Sequence, residues 1–395
     1  MQPSQQFLSL IRQHLDQIRG DVPKLTALGE RMAEPLLAGG SLFTPDLGVY
    51  WPSEFGGRAG GFMGLKPSNY RPESKNDVAW TTLPDPRRWN ASDDARWTRL
   101  VDSPAQIFIN GSLDNVSSSR VAGFTGGAAA EEGLYGKDDL IPLAPLRPFE
   151  QLVRGWVTTG ELTAALTRGG RMPVLWMSVW LEGALPRNAS FMDHHNLREP
   201  WHAPLLHEQI YIPPLERGYV AGEFLGELSR LFEIVQQQRE KLATAGQWMA
   251  EALAAKKKVS TVLVGHSYPQ ILEIKEAANY PLAWLPSVSD LQKAHPDELG
   301  AGDVALHLGY SPVHVGDVQR IVNRGVRFIY TSPYGRPTDL KDHPNLLWLD
   351  LPWRPGDATV DVPGYSVRLL PMSSSAHTMV YFAIVCELAE HKGWK

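Results

Sequence analysis

The sequence predicts an α/β protein made of two tandem units, each a parallel sheet between layers of helices, with the first unit enlarged by insertions. Three observations carry this. The stretch LTALGERMAEPLLA, Leu25 to Ala38, returns 217 residues later as LATAGQWMAEALAA, Leu242 to Ala255, with seven of fourteen positions identical and no gap. In each copy the Leu, Met and second Leu fall at spacings of seven and four, which places them on one helical face. Each copy then runs through a short break into an apolar stretch, Ser41-Leu42-Phe43 in one and Val259 to Val264 in the other. Helix, break and buried strand is the rhythm of a parallel sheet with covered faces.

The second copy reads most clearly. After the helix ending near Ala255 come strand Val259 to Val264, a glycine turn and helix Ile271 to Asn279. Strands follow at Leu282 to Leu285 and Asp303 to Leu308, then helix Val315 to Asn323, strands Arg327 to Thr331 and Leu346 to Asp350, and a last helix Ala376 to His391. In the first copy, Gln106 to Asn110 is read as the third strand, Glu161 to Thr167 as the next helix, Pro173 to Val179 and Gln209 to Ile212 as the fourth and fifth strands, and Ala221 to Val235 as the closing helix. Arg168-Gly169-Gly170-Arg171 and Arg324-Gly325-Val326-Arg327, each between a helix and a strand, suggest this register. It divides the chain into 1–235 and 236–395, with extra material in the first unit near 67–100 and 111–160. The first insertion is rich in Pro, Trp and Asp, the second in Ser and Gly, and both read as strand-end loops or surface elaboration.

Composition bounds the function. The chain has 395 residues, 43% hydrophobic and 21% charged, which fits an ordinary globular protein of two or three domains. A formal net charge of -5 and no basic cluster beyond Lys256 to Lys258 argue against nucleic acid as a partner. The N-terminal stretch has neither the basic flank nor the apolar core of a signal peptide or membrane span, so no membrane partner and a cytoplasmic address are expected. The single cysteine, Cys386, sits in an apolar helical segment and reads as inert core. No cofactor signature is found and none is expected.

Three motifs carry a resemblance. Gly39-Gly40 and a strand precede Glu54-Phe55-Gly56-Gly57-Arg58-Ala59-Gly60-Gly61; Gly265-His266-Ser267 stands between a strand and a helix carrying Glu273 and Glu276; and Ser373-Ser374-Ser375-Ala376-His377 leads into the last helix. In this order, within two repeated units, they resemble the SIS (sugar isomerase) domain, where a GHS-type loop precedes a helix ending in E-x-x-x-R-A-G-G. The resemblance spans nearly the whole chain apart from the insertions. It implies a sugar phosphate as ligand and aldose-ketose isomerisation as the activity, with dimers usual. A tandem chain could form that pseudo-dimer within itself, or a homodimer of tandem chains. A phosphosugar sensor or scaffold without catalysis is the alternative.

A phosphate dianion is well held by backbone N–H groups and hydroxyls at a helix N-terminus. Gly265, His266 and Ser267 have that setting, and Ser373, Ser374 and Ser375 add hydroxyls at a second helix start, where serine is also a common cap. After the third strand of the second copy the sequence is His307-Leu308-Gly309-Tyr310-Ser311-Pro312, where the resembled domains have S-x-S-G-x-T, so Tyr310 and Ser311 are the remaining hydroxyl donors. In the first copy the corresponding first loop carries Asp46, which would repel phosphate, so the ligand is expected in the second. Isomerisation needs an acid-base pair and a proton shuttle, for which carboxylate and imidazole suit. Glu54, Glu276, His266 and His377 are the candidates, with His307 and His314 nearby; Glu54 could instead pair with Arg58 one turn on. Asp193, His194, His195, His202 and His207 offer metal-ligating side chains, but their spacing matches no standard signature and no metal is expected.

Overall fold

The computed structural model describes residues 2–49, 51–87, 89–113, 116–128, 133–134, 143–192, 203–263, 283–285 and 298–393. The chain opens with helix α1, Pro3–Leu37, whose buried Phe7, Leu8, Ile11, Leu15, Ile18, Leu25, Leu28, Met32 and Leu36 recur every three or four residues. Strand β1 (Leu42–Phe43), helix α2 (Trp51–Phe55), strand β2 (Val78–Thr81), helix α3 (Ala95–Val101) and strands β3 (Gln106–Ile109) and β4 (Val121–Phe124) follow. A small antiparallel pair, β5 (Gly133–Leu134) and β6 (Ala144–Pro145), leads into the buried helix α4, Arg147–Arg168. A segment carrying the short helix α5 (Ala184–Ala189) then runs to helices α6 (Tyr219–Gln237) and α7 (Arg239–Ala254). The second unit continues with β7 (Val259–Leu263), β8 (Ala283–Leu285), β9 (Val304–Leu308), helix α8 (Val315–Asn323), β10 (Arg327–Ser332) and β11 (Leu346–Asp350). An antiparallel hairpin, β12 (Ala358–Val362) and β13 (Tyr365–Pro371), leads into the last helix α9, Ser373–His391.

Both sheets are parallel. The second has the order β11-β10-β9-β7-β8, so its first strand lies inside and its second at one edge. The first has the order β1-β2-β3-β4, and on the other side of β1 Lys66 makes a single parallel bridge to Phe43. That bridge stands where β8 stands in the second unit. With it the two sheets share one order, and α3 matches α8, β3 matches β10, β4 matches β11, the β5–β6 pair matches the β12–β13 hairpin, and α4 matches α9.

This register differs from the one expected in the first copy. Residues 106–109 are its fourth strand in this order, not its third, and Glu161 to Thr167 is the second half of α4, the last helix of the unit. Pro173 to Val179 and Gln209 to Ile212 form no strand; Pro173 and Leu175 make only isolated bridges. Residues 67–100 and 111–160 hold β2, α3, β4 and the start of α4. The two Arg-Gly segments that suggested the old register are both helix stops: Gly170 and Gly325 lie at φ +76° and +83°, the left-handed geometry that favours glycine after a helix. Helix-stop chemistry recurs wherever helices end, so it fixes no register.

The repeat itself is longer than its identities. At the same offset of 217, α1 corresponds to α6 and α7 together, with Phe7-Leu8 matching Phe224-Leu225, all buried. α6, read from sequence as closing the first copy, stands at the repeat position of the first half of α1. Even the helix ends coincide: Gly39 and Lys256 both take positive φ, +90° and +55°, and both close the last turn by bonding to a carbonyl three residues back. The shared glycines have a packing reason. A Cβ on Gly29 would lie 2.6 Å from Leu162 N in α4, and one on Gly246 would lie 2.8 Å from Leu388 N in α9. Bare backbone at these points lets the helices cross closely. Cys386, in α9, is fully buried in the core, where burial raises its thiol pKa.

Candidate functional site

The residues of EFGGRAGG form a turn, not the end of a long helix. α2 stops at Phe55, and the chain swings through Gly56-Gly57 so that Glu54 and Arg58, both fully buried, stay 3.6 Å apart. Gly60, at φ +76°, passes so close to β13 that a Cβ there would sit 2.7 Å from Leu370 N. That passage presses Arg58 onto the start of α9.

There Arg58 meets the second unit. Its Nη2 donates to Ser373 Oγ at 3.1 Å and Ser374 Oγ at 2.6 Å. Each serine hands the interaction on to a carboxylate: Ser373 Oγ donates to Asp357 Oδ2 at 3.0 Å and Ser374 Oγ to Glu54 Oε2 at 3.0 Å. Trp156 Nε1, from α4, donates to Glu54 Oε1 at 2.9 Å. Asp357 Oδ1 accepts from the backbone N–H of Ser373 at 2.8 Å and so occupies the N-terminus of α9 as its anion. Burial alone would lower the Arg58 pKa, but the facing Glu54 and Asp357 outweigh it and raise it, so the guanidinium stays charged. Its Nε and Nη1, and the buried Oγ of Ser375, make no hydrogen bond among the described residues.

Tyr310, just past the end of β9, is buried beside this cluster; burial first, then Asp357, raises its phenol pKa, and the hydroxyl stays neutral. Ser311 is buried next to it. His377, one turn into α9, is fully buried with its pKa held down to about 3, chiefly by burial and further by His307 and Arg58. It is neutral at ordinary pH. Burial likewise holds His307 down to about 4, and its ring stacks on Tyr330 at 4.0 Å, which stacks on Trp348 at 5.1 Å across β9, β10 and β11. These rings share register positions, so the ladder is sheet packing.

The structure therefore brings together Glu54, Tyr310, Ser373, Ser374 and His377, with Ser311 and Ser375 adjacent in sequence. Gly265, His266, Ser267 and Glu276 lie outside the described residues, as do Asp193, His194, His195 and His202. His207 bonds through Nε2 to Tyr365 Oη at 2.8 Å, and no group of three metal-ligating side chains gathers among the described residues. Three members of the cluster escaped the sequence reading in whole or part. Arg58 was read as part of the E-x-x-x-R-A-G-G motif and as a helix partner of Glu54 but not as a site residue, while Asp357 and Trp156 carried no motif; the signal for Asp357 was the Pro-Gly-Asp turn, where Gly356 and Asp357 both take positive φ.

No helix among the described residues is long and apolar enough to cross a membrane. No protein-family model matches the sequence, and no curated protein matches it either. Solved structures do resemble the fold. The C-terminal domain of glucosamine-fructose-6-phosphate aminotransferase from Francisella tularensis overlays with a TM-score of 0.51 at 9% identity, covering 97% of this chain and 96% of that one. A protein described as a phosphosugar isomerase from Clostridium difficile 630 gives 0.49 at 8% identity, covering 98% and 92%. One described as a sugar binding protein from Salmonella typhimurium LT2 gives 0.44 at 10% identity, covering 98% and 97%. The chain thus folds as two SIS-like α/β units with parallel sheets, joined through a buried ion cluster.

Proposed function

We propose that the chain binds a phosphorylated sugar at the C-terminal edge of the five-stranded sheet and does not isomerise it. The observation that carries this reading is the gathering of Tyr310 and the hydroxyls of α9 at the end of β9, on the edge where parallel α/β sheets take their ligands. The overlay on an aminotransferase domain named for fructose 6-phosphate supports the ligand class. Ser311 and Tyr310 at the end of β9 would border the ligand, together with Gly265, His266 and Ser267, which follow β7 in the sequence, while the buried Ser373 and Ser374 hold the start of α9 in place through Arg58.

The non-catalytic half of the proposal rests on Glu54 and His377. A base that moves a proton between adjacent carbons needs an oxygen open to substrate. Both oxygens of Glu54 are engaged, by Trp156 and by Ser374, and the residue is fully buried. A histidine with its pKa at about 3 supplies no proton at neutral pH. Glu54, Arg58 and Asp357 in this view fasten the two units together and fix α9. We further propose that the units divide near Gly218, where α6 begins, in place of 235/236, and that a dimeric arrangement is already built within one chain. Thermal-shift titration with hexose and hexosamine 6-phosphates tests the reading: stabilisation by at least one is expected, and none by any would overturn it.

A further inference from the structure

A cavity of about 470 Å³ lies between α1 and α4, lined on one side by Leu10, Gln13, His14 and Gln17 and on the other by Glu150 and Arg154. Its charged wall is buried and tightly held. Arg154 Nε donates to Glu150 Oε1 at 2.9 Å, the backbone N–H of Ala128 donates to Glu150 Oε2, and His14 Nδ1 lies 3.5 Å from that same oxygen. Glu150 and Arg154 are only 1% and 4% exposed. We propose that this cavity binds a free α-amino acid in its zwitterionic form. The site goes beyond the phosphosugar reading and does not rest on it. The strand end of β3 meets another side of α4, where Gln151 Nε2 comes so near that a Cβ on Gly111 would sit 3.1 Å from it.

The duplication supplies an internal comparison. At the repeat offset of 217, His14 matches Leu231, and in the register that sets Gly29 against Leu162 and Gly246 against Leu388, Glu150 and Arg154 match Ala376 and Val380. All three counterparts are buried core. The fold therefore closes at this point with apolar side chains alone, whereas burying a carboxylate and a guanidinium carries a desolvation penalty that their mutual attraction barely offsets. Charges kept at such a place call for a partner outside the fold itself.

The chemistry of the wall names the ligand class. Glu150 and Arg154 present opposite charges side by side, so a lone anion or cation is attracted by one and repelled by the other. An α-amino acid carries its ammonium and carboxylate on one carbon and can lie head to tail against the pair, each end making a charge-assisted contact. Arg154 Nη1 also donates to Asp21 Oδ2 at 2.6 Å, which fixes the guanidinium in place. The carboxamides of Gln13 and Gln17, one turn apart on α1, can exchange hydrogen bonds with the ligand, and Leu10 and Leu146 give its side chain an apolar wall. The volume falls in the range of small-molecule sites, roughly 300–1,000 Å³.

Calorimetric titration of the full chain with the common L-amino acids, one at a time, tests the proposal. At least one is expected to bind. Its N-acetyl and carboxamide derivatives, each lacking one of the two charges, are expected to bind about tenfold more weakly or worse, as the loss of a charge-assisted contact predicts. The triple variant His14→Leu/Glu150→Ala/Arg154→Val carries the residues of the second unit at these positions, and it should fold and lose the binding. Where that variant does not fold, Gln13→Ala/Gln17→Ala decides, since both side chains are exposed on α1 and the melting temperature should stay that of the parent. Its affinity should fall about fivefold for each hydrogen bond lost. No binding by any amino acid, a singly charged derivative that binds as tightly as its parent, or unchanged affinity in the folded variants overturns the proposal.

Discussion

Glu161 and Glu387 are equivalent residues that cap helices in opposite halves of the molecule. Glu161, in α4, accepts from the N–H groups of Gly218 at 2.9 Å and Ala221 at 3.1 Å, at the start of α6. Glu387, in α9 of the second unit, accepts from Ser4 N at 3.0 Å, at the start of α1 in the first. Ser4 and Ala221 are themselves 217 residues apart, so α9 caps α1 and α4 caps α6 at matching points of the repeat. Buried carboxylates satisfy helix N–H groups that would otherwise lack partners. Glu161 also accepts from Thr26 Oγ1 at 2.9 Å. We expect Glu161→Ala to cost roughly 2–3 kcal/mol and Glu387→Ala about 1–2, in line with lost caps and buried bonds. Urea denaturation of the two variants checks this; equal, negligible losses would remove the capping relation.

The repeat glycines make a sharper packing prediction. Gly29→Ala and Gly246→Ala push a methyl against the backbone of α4 and α9, where no side chain can swing away. Overpacking of this kind costs about 1–3 kcal/mol. Gly222 in α6 meets nothing within 4 Å, so Gly222→Ala should instead stabilise by about 0.5–1 kcal/mol through helix propensity. Melting temperatures of the three variants should move in those opposite directions.

The ion cluster should behave as a fastening between the units. Arg58→Met leaves two buried carboxylates without their cation, and removing one partner of a buried pair costs about 3–5 kcal/mol. The double variant Arg58→Met/Asp357→Asn should recover part of that loss, because it no longer buries two uncompensated charges. A double-mutant cycle by denaturation measures the coupling; strict additivity would mean that Arg58 and Asp357 do not act together.

Stability should fall on the acid side through two buried histidines. His307 and His377 have folded pKa values of about 4 and about 3, below their unfolded range. The unfolded chain therefore binds protons that the folded chain refuses, beginning near pH 6.5, so the folded state loses stability as pH falls through that window toward 4. Each histidine contributes a slope of up to about 1.4 kcal/mol per pH unit. Below the ordinary carboxylate range Glu150 adds to the loss, its pKa lowered by His14 and Arg154 against the opposing effect of burial. His377→Gln should flatten the slope between about pH 6.5 and 4, measured by urea midpoints at several pH values. A slope unchanged by the substitution would place the proton uptake elsewhere.

The second unit was legible because its strands are full-length apolar runs separated by ordinary helices. Val315–Asn323 and Leu346–Asp350 emerge with the bounds that periodicity predicts. The first unit was obscured for two physical reasons. Its second strand has shrunk to one bridge at Lys66, and its third, Val78–Thr81, lies in a Pro- and Trp-rich stretch without a strand-like pattern around it. The first half of α1 was hidden too, since only Phe7-Leu8 keep the identity of Phe224-Leu225 while the rest of that face merely stays apolar. At the site, Glu54 and the three serines were visible as motifs. Their mutual contact was not, because it depends on Asp357 and Trp156, which arrive from a hairpin turn and a helix distant in sequence.

Proton exchange at carbon 2 of the bound sugar tests the central claim most directly. The full chain would be saturated with fructose 6-phosphate or glucosamine 6-phosphate in deuterated buffer and followed by NMR. With Glu54 locked between Trp156 and Ser374 and His377 neutral, ligand resonances should broaden or shift on binding while no deuterium enters at carbon 2. Steady deuterium incorporation that depends on intact protein would contradict the account and make the chain an isomerase.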